Sequence, residues 1–152
     1  MEKPLPVPTA TTEPFWAGLR ERKILLQYSP SADRWVFYPR VLAPGSLAAD
    51  LEWREASGVA RLYTYTVARV PPNPGWDADP PLIAAIVELA EGPRLATELV
   101  GVTAEDVAIG MALRPVFVAA ADQGLTLLKF APASRLSGES DRPSGQPPHM
   151  ME

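Results

Sequence analysis

The chain reads as a mostly β protein, with a short N-terminal helix and a small hairpin unit followed by a five-stranded Greek-key barrel. Three observations predict this class. From Val59 onward, short runs of alternating β-branched, aromatic and small residues recur between turns rich in glycine and proline. Ahead of them lies a single helical stripe of apolar residues, Phe15, Trp16 and Leu19. A length of 152 residues suits one domain plus a small appendage and is enough to bury a core.

Residues 1–11 (MEKPLPVPTAT) are predicted to be extended, because proline lacks a backbone donor and disfavours helix in the residue before it. Thr12 offers an N-cap and Pro14 suits a first helical turn, which predicts a short amphipathic helix over 13–22. Ile24–Tyr28 and Trp35–Phe37 read as two short strands of a hairpin, and Leu51–Arg54 leads out of it. Helix and hairpin together occupy 12–56, and the barrel is predicted over 57–132. Its first strand, Val59–Val70, is long and bent. Residues 71–81 hold five prolines in eleven positions and must be loop. Leu82–Ala90 and Arg94–Val100 form a hairpin through Glu91-Gly92-Pro93. Thr103-Ala104-Glu105-Asp106 reads as the start of one helical turn ending near Gly110. Met111–Ala119 and Leu125–Phe130, separated by Asp122-Gln123-Gly124, complete the set. Five short strands with a helical turn between the third and fourth are what an OB-type barrel requires. Residues 133–152, rich in Ser, Gly and Pro, are expected to be disordered.

Composition excludes several functions. With no cysteine there is neither a disulfide nor a thiol nucleophile, and the only histidine, His149, falls in the predicted tail. Acyl-transfer chemistry needs an activated nucleophile or a base that titrates near neutrality, so this chain is not expected to be an enzyme by itself. Net charge is -4, and residues 59–132 carry five cationic against eight anionic side chains, the wrong sign for a phosphate-backbone binder. Residues 1–11 lack the basic start and apolar core of a signal peptide, and the longest apolar run, Leu82–Val87, is too short to span a bilayer. The cytoplasm is the expected compartment.

Several motifs recur in a fixed order. Pro14-Phe15-Trp16-Ala17-Gly18-Leu19 is followed by a frame over 27–46 with Gln27, Trp35, Phe37, Pro39-Arg40 and Pro44. Then come Tyr63-Thr64-Tyr65-Thr66-Val67 with Pro71-Pro72, Val87-Glu88-Leu89, Glu91-Gly92-Pro93-Arg94-Leu95, Ile109-Gly110-Met111, and Lys129-Phe130 with Pro132. In this order they resemble the DUF35 family, OB-fold proteins with a rubredoxin-like zinc ribbon that accompany acyl-CoA enzymes. The likeness covers residues 12–132. Two departures are Arg69, where the family often has histidine, and Glu98, where it often has asparagine.

The resemblance places the ribbon's cysteine positions at Ser29, Ala32, Ala43 and Ser46, with both CxxC spacings kept and no thiolate at any of them. A tetrahedral zinc site needs four ligands, so a degenerate, metal-free ribbon is expected and no zinc. Structural zinc supplies about 10 to 16 kcal/mol in small fingers. Burial of Trp35, Phe37, Tyr38, Leu42 and Leu47, at about 1.5 to 3 kcal/mol each, is the expected replacement. Such a ribbon is either a relic hairpin packed on the barrel or a docking finger completed by a partner.

The resemblance implies a non-catalytic accessory subunit of a thiolase-like, HMG-CoA-synthase-like, aldolase or hydratase-like enzyme, including enzymes of steroid side-chain degradation. Its role would be to hold a CoA thioester or scaffold the active subunit. CoA carries phosphates that need cations, and Arg40, Arg69, Arg94 and Lys129 are the candidates. Tyr63 and Tyr65, two apart on one strand, offer a stacking surface for adenine, against a plainer role in packing. Phe15, Trp16, Leu19, Trp35, Phe37 and the loop residue Trp76 are candidate partner contacts. The competing reading is a nucleic-acid-binding OB module, which shares the barrel and the tyrosines but needs a basic groove.

Overall fold

The structure is a computed structural model that describes residues 4–70, 81–120 and 124–133. Most of the proline-rich loop with Trp76, part of the Asp122–Gly124 turn, and the tail from residue 134 with His149 lie outside the described residues.

Helix α1, Glu13–Arg20, is shorter than the 13–22 reading. Thr12 stands at the N-cap position, but its hydroxyl turns back and accepts the Thr9 N–H at 2.9 Å instead of capping the helix. The C-terminus closes at Arg22, which adopts a left-handed φ of 61°. Its N–H donates to Leu19 O at 3.0 Å and the Lys23 N–H donates to Gly18 O at 2.8 Å, a Schellman closure. Glycine usually fills this position, so an arginine there gives no signal in the sequence.

Strands β1 (Ile24–Ser29), β2 (Arg34–Val36) and β3 (Glu52–Ala56) form an antiparallel sheet ordered β2-β1-β3. The segment expected only to lead out of the hairpin is therefore a full third strand, pairing Ile24 with Ala56 through to Tyr28 with Glu52. Gly18 lets α1 lie close on β1, since a Cβ there would sit 2.7 Å from Leu25 Cγ.

The remaining strands are β4 (Ala60–Ala68), β5 (Leu82–Leu89), β6 (Arg94–Leu99), β7 (Ala112–Ala120) and β8 (Leu125–Pro132). They close a barrel in the order β4-β5-β6-β8-β7, and β6 meets β8 in parallel at Leu99 and Phe130. This is the five-stranded OB arrangement that the strand count predicted. The expected helical turn between β6 and β7 is instead a pair of reverse turns, with Asp106 N–H donating to Thr103 O at 3.1 Å and Met111 N–H to Ala108 O at 3.1 Å. The turns still plug the barrel, because Val107 is buried in its core. Thr103 bonds the Asp106 carboxylate at 2.9 Å, a local contact that favours a turn over a helix start.

A bulge interrupts β4, where Leu62 pairs with Val87 and Thr64 with the adjacent Ile86, leaving Tyr63 as the extra residue. The inward phase therefore passes from Leu62 to Tyr65, and Tyr63 and Tyr65 do not share a face. One core unites the molecule, with Phe15, Leu19, Ile24, Leu26 and Ala56 in the same cluster as Leu62, Val87, Leu113 and Phe130. The segment read as a ribbon is not held as expected. Tyr38, Leu42 and Leu47 are 56%, 42% and 71% exposed, and only Trp35 and Phe37 pack against the core, each half-buried. The enclosed positions of this unit are taken instead by Ser29, Val36 and Ala43.

Candidate functional site

A cavity of about 320 Å³ opens between α1, residues 37–39, β6 and β8. Each wall has its own origin. The helix contributes Phe15, Trp16 and Leu19 from one face of its 3.6-residue repeat. The loop after β2 contributes Phe37, Tyr38 and Pro39, and the barrel contributes residues 95–98 and 127–130. The aromatic rings touch in series, with Trp16 to Phe15 at 5.2 Å, Phe15 to Phe37 at 5.9 Å and Phe37 to Tyr38 at 5.8 Å between centroids.

Two polar devices hold these walls in place. The buried Gln27 amide donates to Arg40 O at 2.8 Å and accepts the Arg40 N–H at 2.7 Å, pinning the 37–40 loop to β1. Thr97 Oγ1 donates to Leu128 O at 3.0 Å, fastening β6 to β8 beside their parallel pairing. The charged lining consists of Lys129 and Glu98, paired at 2.6 Å with 22% and 33% of their side chains exposed. Such a site has the size and apolar walls of a ligand pocket. Its two charged side chains pair with each other, and the rest of the wall is mainly apolar and aromatic.

The structure gathers Phe15, Trp16, Leu19, Phe37 and Lys129 into this cavity. Leu19 has no exposed surface and forms its floor rather than a projecting anchor. Trp35 is half-buried, edge-on to Tyr28 at 5.6 Å. Arg40 stands exposed beside the loop, held through its backbone. Arg94 is elsewhere, stacked 3.6 Å over the Tyr63 ring and bonded to Glu88 at 2.7 Å. The Glu88 bond keeps the Arg94 guanidinium above its ordinary pKa. Arg69 is exposed just beyond β4, and Tyr65 packs against the core. Trp76 is outside the described residues. The four candidate cations thus do not converge on one anion site. Sequence reading missed the clamping role of Gln27 and the staple at Thr97; a glutamine directly after the apolar run Ile24–Leu26 was the available signal for the first.

Comparisons with known proteins agree with this architecture. Residues 53–118 match the family described as ChsH2, C-terminal OB-fold domain. The chain is 35% identical over 122 residues to a probable enoyl-CoA hydratase alpha subunit of Thermomonospora curvata, covering 78% of this chain but 37% of that protein. It therefore spans little more than a third of that relative's length. It is 33% identical over 104 residues to a DUF35 domain-containing scaffold protein of Methanocaldococcus jannaschii, covering 67% of this chain and 73% of that one. Among solved structures, a chain of an Ltp2-ChsH2(DUF35) aldolase superposes with a TM-score of 0.75 at 31% identity, covering 85% of this chain and 99% of that one. Motif order, barrel topology and these alignments lead to one assignment: the chain belongs to the DUF35 family of OB-fold proteins.

Proposed function

We propose that this chain is a non-catalytic accessory subunit of an acyl-CoA enzyme. In this reading it scaffolds a hydratase-like or aldolase-like partner, or one of the thiolase and HMG-CoA-synthase class, and lends its cavity to the apolar acyl part of the partner's thioester. The observation that carries the reading is the aromatic-walled cavity at the junction of helix, ribbon and barrel, whose charged lining is internally paired. The exposed Tyr38, Val41, Leu42 and Leu47 lie on the ribbon at residues 38–47 and offer apolar surface to a partner. The relatives' names, a hydratase alpha subunit, a scaffold protein and an aldolase, support the same class. The four candidate cations do not converge and two of them, Arg94 and Lys129, are tied to glutamates, so in this reading the CoA phosphates fall to the partner. The same pairings and a net charge of -4 weigh against the nucleic-acid reading.

The test is co-expression with hydratase-like, aldolase-like and thiolase-like proteins, followed by size-exclusion chromatography and titration with CoA thioesters. Co-elution with one of them, weakened by Trp16→Ala, is the expected result. Failure of every candidate protein and every thioester to bind, or turnover of an acyl-CoA by the chain alone, contradicts the proposal.

A further inference from the structure

The family resemblance implies a zinc ion where the two turns of the 27–46 segment meet, and the residues present here do not fit one. Ala32 and Ala43 have no donor atoms, and Ser46 is spent on a local bond from the Ala48 N–H at 3.4 Å. Among the described residues no group of three or more His, Cys, Asp or Glu side chains is placed to hold a metal. Ser29, fully buried, is already committed on both sides: its hydroxyl donates to Asp50 Oδ1 at 2.9 Å and accepts the Ala32 N–H at 3.3 Å.

The ribbon nonetheless keeps two turns of well-defined shape. The first, after β1, closes through Asp33 N–H to Pro30 O at 3.3 Å and carries a left-handed Asp33, φ 46°. The second closes through Leu47 N–H to Ala43 O and Ala43 N–H to Ala48 O, both at 2.9 Å, with Gly45 and Leu47 left-handed at φ 91° and 58°. What joins the turns is a reciprocal pair of side chains. Asp50, on the segment leaving the second turn, reaches back to the first: besides Ser29 it accepts the Ser31 N–H at 2.8 Å. Arg34, on the segment leaving the first turn, reaches across to the second and donates to the Pro44 carbonyl.

We infer that Asp50 and Arg34 act as two crossed braces that close the ribbon in place of the metal, each tying the exit of one turn to the body of the other. A carboxylate receiving two hydrogen bonds and a guanidinium on a carbonyl are charge-assisted contacts, the stronger kind. They bridge the same two loops that four thiolates would bridge around zinc. The ribbon, packed on the shared core, is therefore closed without metal, and its exposed apolar residues are displayed on a fixed frame.

The experiment uses the full chain. After expression in zinc-supplemented medium, elemental analysis should find no stoichiometric zinc, and a chelator should leave amide hydrogen exchange unchanged. Asp50→Ala should accelerate exchange at residues 29–34 by about tenfold or more, the loss expected for a charged hydrogen bond, while β5 and β8 keep their protection. Arg34→Met should do the same at 43–48. If Asp50→Ala loosens the barrel too, Ser29→Ala, which frees one oxygen of Asp50, decides: faster exchange at the Ser31 amide, which donates to the other oxygen, supports the braces, and unchanged exchange there overturns them. One equivalent of bound zinc, protection lost on chelation, or brace variants that exchange like the parent would each overturn the inference.

Discussion

In the barrel, Val87 and Phe130 are fully enclosed and Leu62 nearly so, whereas in the ribbon it is Ser29 and Ala43 that are enclosed while Val41 and Leu47 face solvent. The two regions share one core through Phe15, Leu19, Ile24 and Leu26, yet they are held by different forces. Apolar burial is spread over many contacts, each small, so the barrel tolerates the loss of any peripheral one. The ribbon depends on a few directional bonds between particular atoms, so removing one partner removes the whole contact. The difference teaches where each region is vulnerable: the barrel to lost volume, the ribbon to a lost atom.

The comparison can be broken most severely at Phe130. Phe130→Ala should cost about 3 to 5 kcal/mol, and because the side chain belongs to the shared core, barrel and ribbon should unfold together at a lower urea midpoint. A second, more local effect follows from acid. Hydrogen bonds from Ser31, hydroxyl and N–H, hold the Asp50 carboxyl below its ordinary value. A depressed folded pKa contributes stability that is present above the unfolded value, about 3.9, and is lost as pH falls through the folded one. On acidification below the ordinary carboxylate range, amide exchange at residues 29–34 should therefore accelerate while β5 and β8 keep their protection, and Asp50→Asn should remove that pH dependence. Third, Gly18→Ala gains about 1 kcal/mol of helix propensity but drives a methyl to within 2.7 Å of Leu25 Cγ. Overpacking of about 1 to 3 kcal/mol should win, lowering the melting temperature slightly. Smallest is Glu98→Gln: the Lys129 pair is partly solvent-screened, so about 0.2 to 1 kcal/mol of stability is at stake. Its effect should instead be read in thioester or partner affinity.

Much of the barrel was legible because its signals are local. Alternating residues and the Glu91-Gly92-Pro93 turn fix β5 and β6 to within a residue. What stayed hidden depends on partners distant in sequence. The bulge at Tyr63 is a property of the β4–β5 register, not of β4 alone, and it undid the reading of two tyrosines on one face. The Schellman closure at Arg22 uses a residue that gives no warning. Of the cavity's walls, Phe15 and Trp16 stood out in the sequence through their helical stripe, as partner contacts, whereas Leu95, Leu127 and Leu128 carried no signal of lining a site. The cations were not sorted, since whether an arginine is free depends on contacts such as Glu88 that only folding brings about. Asp50 lies 21 positions from Ser29, so nothing in the spacing marked it as a brace.

If the ribbon side of the molecule is its working surface, the partner should leave its footprint there and not on the Tyr63–Arg94 side of the barrel. The direct measurement is amide hydrogen exchange of the full chain with and without a co-eluting acyl-CoA enzyme. New protection at residues 15–19, 37–42 and 127–130, with β4 and the start of β6 unchanged, is the predicted result. Protection confined to the region around Tyr63 and Arg94, with the ribbon and cavity unaffected, would contradict the account.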